Sequence, residues 1–177
     1  VADEIDRVLP TIRSRCRLIR AGAPTREQAL EWLKSQGVQD AERKLTEAGG
    51  MPLAVFDEDA RFRLADETRE RFLAYLRLGH AAPPAQALSV ADKDVTLSAA
   101  ALFLSRWGWD LASAKVGCEP QYFPEFAEEI KTIAQAANPT GLYTWINSVR
   151  DIRRVSEHPL NAKTMIEALL ISYARNI

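Results

Sequence analysis

Apolar and polar positions along the chain recur at helical spacing, and no alternating strand pattern of useful length follows residue 20. The first strong element starts at Thr25. Thr25-Arg26-Glu27-Gln28 has the composition of a capping box, in which the threonine hydroxyl and the glutamine side chain satisfy N–H groups of the first turn. Ala29, Leu30, Trp32 and Leu33 then form an apolar side, and Gly37 is a natural stop. A short second helix is predicted over 40–48, ending at Gly49-Gly50. A third is predicted from Pro52, where a proline loses no helical hydrogen bond. Together these make a small three-helix bundle.

Longer segments follow. Over 59–79, Phe62, Ala65, Phe72 and Leu76 fall near one helical stripe, with Arg61, Asp66, Glu70 and Arg71 off it. A loop at 81–84 leads to helices predicted over 85–90, 95–115, 125–137, 140–157 and 161–174. Pro120, Pro124, Pro139 and Pro159 lie between these segments, at or near helix starts. The predicted fold class is all-α, a small helical bundle followed by a larger one. Met165, Ile166, Leu169, Leu170 and Tyr173 give the last helix a wide apolar stripe. Its width leads us to expect more apolar surface than one core needs, the surplus serving contact with other subunits.

Composition narrows the class. The chain has 177 residues, 47% of them apolar, which is enough to bury real cores. Lys and Arg number 23 against 24 Asp and Glu, a balance that disfavours a dedicated nucleic-acid binder. No apolar run is long enough to span a membrane, and the charged first residues are unlike a secretory signal, so a cytoplasmic location is expected. Cys16 and Cys118 are too few for a disulfide scaffold or a four-cysteine zinc site and are expected to be free thiols. Val1 is not an initiator methionine, which fits a processed protein or a piece of a longer one.

The chemistry of an autonomous enzyme is not expected. There is no Gly-x-x-x-x-Gly-Lys-Ser/Thr loop to gather phosphates. His80 and His158 fall in predicted loops without recurrent ligand spacing. Glu128-Glu129 and Asp57-Glu58-Asp59 are sequence neighbours that point to different sides of a helix, and they read as solvated faces. Cys118 stands beside Glu119, which does not favour a thiolate. Trp32, Trp107, Trp109 and Trp145 lack interleaved basic residues and read as helix packing. Arg150, Arg153 and Arg154 make a modest basic patch, diluted by Asp151 and Glu157.

The N-terminal segment is different. Five arginines and no acid lie between Arg7 and Arg20, and Arg13, Arg15 and Arg17 would share one face of an extended strand. Arginines so placed are costly to bury without anions. One presented on a rigid turn suits contact with a phosphate on a neighbouring molecule.

Leu9-Pro10-Thr11-Ile12-Arg13-Ser14-Arg15-Cys16 resembles the Ser-Arg-Cys motif of the clamp-loader ATPases of the AAA+ class. Ala48-Gly49-Gly50-Met51-Pro52-Leu53-Ala54 is similar to the start of that family's last lid helix. Trp107-Gly108-Trp109-Asp110-Leu111, followed by Tyr122-Phe123-Pro124, is similar to its collar signature. His158-Pro159-Leu160-Asn161-Ala162-Lys163 with Glu167-Ala168-Leu169-Leu170 is similar to its terminal helix. The match spans most of the chain and is greatest with the delta-prime branch, the subunits of this kind in bacterial DNA polymerase III.

The resemblance implies that residues 1–20 are the end of a RecA-like ATPase domain, 21–58 a helical lid and 59–177 a collar that joins five subunits in a ring. It implies that Arg15 is an arginine finger acting in trans, positioned by Ser14 and Cys16. No catalytic residue, metal or cofactor is then expected in this chain, and ATP would be met only on a neighbouring subunit. Partners would be the ATP-binding and clamp-opening subunits, and, through the assembled complex, primer-template DNA and the sliding clamp; no membrane is implied. Active ATPases of the family carry an arginine near the start of the last lid helix, where this chain has Met51-Pro52-Leu53, and the terminal helix likewise argues against an ATP-hydrolysing subunit. The alternative is a stand-alone helical nucleic-acid-binding adaptor that uses Arg7 to Arg20 as a basic arm.

Overall fold

A computed structural model describes residues 8–17, 19, 22, 24–56, 64–91, 94–156 and 161–177. Among these residues the chain is all-α, with no strand. The helices are α1 (Pro10–Arg13), α2 (Arg26–Ser35), α3 (Ala41–Glu47), α4 (Asp66–Leu76), α5 (Ala87–Val90), α6 (Leu97–Lys115), α7 (Ala127–Ala136), α8 (Pro139–Val155) and α9 (Ala162–Asn176).

The capping box forms as predicted: Thr25 Oγ1 accepts from Gln28 N, and Gln28 Oε1 accepts from Thr25 N at 3.0 Å. Gly37 closes the turn after α2 with φ +73°, a conformation that favours glycine. Ala29 and Leu33 of α2 meet Ala41 and Leu45 of α3, and Ala48 and Val55 complete a small separate core. The third helix predicted from Pro52 is a single 3-10 turn, Leu53–Val55. Leu53 within it and Met51 and Phe56 on either side have exposed side chains, so Val55 is the residue of the turn that anchors it in that core.

The larger core is organised around α6, which packs against α7, α8 and α9. The 3.6-residue repeat buries Ala100, Phe103, Leu104, Trp107 and Leu111 on its inner side. Gly108 admits α8 closely: a Cβ there would stand 3.1 Å from Ile146 Cγ1 and 3.2 Å from the Trp145 ring. Phe103, Phe123 and Trp107 stack edge to face at 5.3 Å, the geometry that aromatic quadrupoles favour. The polar tips of Trp107, Trp145 and Tyr173 are all paired. Tyr173 Oη donates to Leu76 O at 2.7 Å and accepts from Trp107 Nε1, while Trp145 Nε1 donates to Leu169 O at 3.0 Å. Burial pushes the Tyr173 phenol pKa well above its ordinary value.

The wide stripe of α9 is used inside this bundle. Ile166, Leu169, Leu170 and Tyr173 are buried in its core, and Met165 is half-buried against it. Exposed apolar side chains lie elsewhere, on Trp109 (59% exposed), Val116, Tyr143 and Leu88. The helix predicted over 59–79 is α4 from Asp66 to Leu76; residues 57–63 lie outside the described residues. The boundary expected at 58/59 falls in that stretch.

Candidate functional site

The Ser-Arg-Cys segment is built on one turn of helix. Leu9 is extended and Pro10 opens α1, after which Ile12 N and Arg13 N both donate to Leu9 O. Ser14 N returns to Pro10 O and Arg15 N to Ile12 O, each at 3.0 Å, and Ser14 Oγ donates to Thr11 O at 3.1 Å. Arg15 therefore follows directly on a closed turn. The extended strand that would have aligned Arg13, Arg15 and Arg17 is not what forms, because Pro10 favours the helical start and Ser14 supplies its side-chain closure. Residues 9–17 are all exposed, including the Cys16 thiol. Arg15 makes no ion pair with any described residue, whereas Arg26, Arg43, Arg69 and Arg77 each do.

The remaining candidates are dispersed. His80 is exposed in the 3-10 turn Gly79–Ala81; His158 and Asp57-Glu58-Asp59 lie outside the described residues. Glu129 is held by both arms of Arg77 at 2.6 Å, and Arg77 also lies 4.6 Å over the Phe126 ring. The Arg77 hydrogen bonds lower the Glu129 pKa, so Glu129 is a structural anion rather than an acid–base group. Glu128 turns aside to Lys131 at 3.2 Å. The tryptophans divide: Trp107 and Trp145 are fully buried, while Trp109 and Trp32 are exposed. Each helix position turns by about 100°, so Trp107 and Trp109, two positions apart, point about 200° apart and cannot both face the same core. Arg150, Arg153 and Arg154 are exposed, with Arg154 3.9 Å from Asp151. Cys118 is exposed as well.

Asp110 enters the sequence reading only within the Trp107–Leu111 motif, although it is the buried acid among the described residues. It stands on α6 among Leu104, Trp107 and Leu111 with no solvent exposure. Its Oδ1 accepts from Gln121 N at 2.8 Å; its Oδ2 accepts from Tyr122 N at 2.9 Å and Phe123 N at 2.8 Å. Burial pushes the Asp110 carboxyl above its ordinary pKa, against the downward pull of those three N–H groups. One acid on the apolar side of a helix was the available signal, since a buried charge needs donors nearby.

The turn pinned by Asp110 reaches the N-terminal bundle. Gln121 Nε2 donates to Gly49 O, and the Tyr122 ring closes over Gly49, whose φ is +64°. A Cβ at Gly49 would run into that ring. Arg43 of α3 adds an ion pair to Asp66 of α4 at 3.0 Å. Between these contacts lies a cleft of about 380 Å³, bordered by Arg43, Lys44, Asp66, Arg69, Arg106 and Tyr122.

Among the described residues no three His, Cys, Asp or Glu side chains are grouped to hold a metal, and no helix is long and apolar enough to cross a membrane. In comparisons with known proteins no family model matches the chain, and no curated protein or solved structure is found similar to it.

Proposed function

We propose that the chain is the C-terminal part of a clamp-loader subunit of the delta-prime kind, acting in DNA replication. On this reading residues 1–20 end the ATPase domain, 21–58 are the lid and 59–177 the collar. The protein performs no chemistry of its own. It joins the ATP-binding and clamp-opening subunits in a ring and places Arg15 at the ATP site of its neighbour. The observation that carries the proposal is the state of Arg15: exposed, without an ion pair among the described residues, and directly after a turn closed by Ser14 on Thr11. A guanidinium in that state is open to two oxygens of a γ-phosphate and can neutralise the charge that develops on them. The exposed Trp109, Val116 and Tyr143 support a role in assembly.

The test is Arg15→Ala in the full-length subunit, assembled with its partners. Turnover at the affected ATP site should fall on the order of 10³-fold, the scale of losing an arginine finger. The bulk DNA-stimulated rate should fall less, because other sites persist, and size exclusion should show the complex intact. Unchanged turnover at that site overturns the proposal.

The exposure of Arg13, Arg15 and Arg17 favours one second reading, a basic arm on nucleic acid. An adaptor of that kind would bind DNA as the isolated chain, with a log–log salt slope of about −0.9 for each phosphate neutralised. The clamp-loader reading expects weak binding by the isolated chain.

A further inference from the structure

The cleft between the two bundles contains two cations that form no ion pair with a described residue. Arg43 is committed to Glu47 and Asp66, both at 3.0 Å, and Arg69 to Glu70 and Glu125. Lys44 and Arg106 have no ion pair with any described residue, and both are half-buried. The acids on the cleft wall are Asp40, Glu47 and Asp66, and the last two are paired with Arg43. Arg106 is further distinguished by its surroundings. Its guanidinium lies 5.7 Å from the centroid of the Tyr122 ring, and burial lowers its pKa from the ordinary arginine value. The Glu47 carboxylate acts on Arg106 through its charge but makes no ion pair with it, and a partly desolvated guanidinium with no hydrogen-bonded carboxylate is an open position for an anion.

The cleft wall also has an aromatic side. Tyr122 is half-exposed there, with Phe103 and Phe123 beside it, and the turn that carries Tyr122 and Phe123 is fixed by Asp110. Its volume of about 380 Å³ is in the range of small-ligand sites. Two unpaired cations match a doubly charged group better than a single carboxylate, and a ring face accounts for the rest of the lining. We propose that this cleft is a binding site for a phosphate monoester carried on a flat ring, its phosphate held by Arg106 and Lys44 and its ring set against Tyr122. Such a ligand touches α3 on one side and α6 on the other, so its binding tightens the junction of the two bundles. The site is separate from Arg15 and does not depend on the proposed function.

Phenyl phosphate is the probe, titrated into the 177-residue chain at pH 7.5 and followed by amide NMR shifts. Saturable shifts are expected at Lys44, Tyr122 and Phe123. Inorganic phosphate, which lacks the ring, should bind at least about tenfold more weakly, and so should phenyl phosphate to Arg106→Gln, since each loses a contact worth about 1.4 kcal/mol. Lys44→Gln, outside the packed core, should also weaken binding and replaces Arg106→Gln should that variant not fold. Arg150→Gln, on the exposed patch of α8, should bind as the parent does. Absence of saturable shifts at millimolar phenyl phosphate, or undiminished binding by the cleft variants, overturns the proposal.

Discussion

Replacing Asp110 by alanine would strand the N–H groups of Gln121, Tyr122 and Phe123, which now share one carboxylate. Buried donors without acceptors are expensive, and Asp110→Ala should cost about 3 kcal/mol in urea unfolding at neutral pH. The pH dependence follows from the direction of the shift. The folded carboxyl titrates above its ordinary value, so the folded chain holds this proton more tightly than the unfolded one. Stability from that proton is complete below about pH 4, where the unfolded carboxyl titrates, and is lost as pH rises through the folded value. The difference between parent and Asp110→Ala should therefore be largest in acid and shrink on the way to neutrality. A difference that grows with pH would contradict this. Arg15 and Asp110 also show what single residues reveal before folding. An exposed arginine in a short motif is read from its neighbours in sequence. The partners of Asp110 lie 11 to 13 positions away and are brought back by a turn, so its role needed the tertiary structure.

Among the elements, those with local causes were the legible ones. The start of α2 is written in Thr25 and Gln28, and Thr25→Ala should lower stability by about 1 kcal/mol, readable as a lower melting temperature. The long helices α6, α8 and α9 were visible because their repeats extend over many residues, each forming within a few positions of the predicted limits. Short elements were not. Residues 52–56 carry Pro52 at a suitable start, yet the burial of Val55 alone sustains only one 3-10 turn. Arg13, Arg15 and Arg17 alternate as an extended segment would, but Pro10–Arg13 forms a helical turn that Ser14 closes with its side chain on Thr11 O. Close approaches were equally hidden. Nothing local marks Gly108 as the point where α8 meets α6, or Gly141 as the point where α8 meets the backbone carbonyl of Asn176.

At the scale of the molecule, two cores share a narrow junction. Among the described residues, contacts across it include the Tyr122 ring and Gln121 on Gly49 and the ion pair of Arg43 with Asp66. That ion pair is exposed and contributes little, so of these contacts the turn held by Asp110 carries the larger share of the coupling. Tyr122→Ala should therefore speed hydrogen exchange of α2 and α3 amides, including Leu33 and Leu45, while amides of α6, α8 and α9 keep their protection. Equal acceleration in both bundles would show that the cores are not independent in this way. Sequence periodicity foresaw a small bundle and a large one, but it could not foresee the turn that joins them, since that depends on a side chain in the middle of α6.

The division of the tryptophans gives the chain an optical asymmetry. Trp107 and Trp145 are sealed in the larger core, whereas Trp109 and Trp32 meet solvent, and Trp32 is the indole of the smaller bundle, 5.6 Å from Phe56 edge to face. An aqueous quencher therefore divides the emission into a silent inner pair and a responsive outer pair. A chain in which Trp109 is replaced by Phe leaves Trp32 as the responsive indole, so the smaller bundle reports its own movements in light without any dye attached.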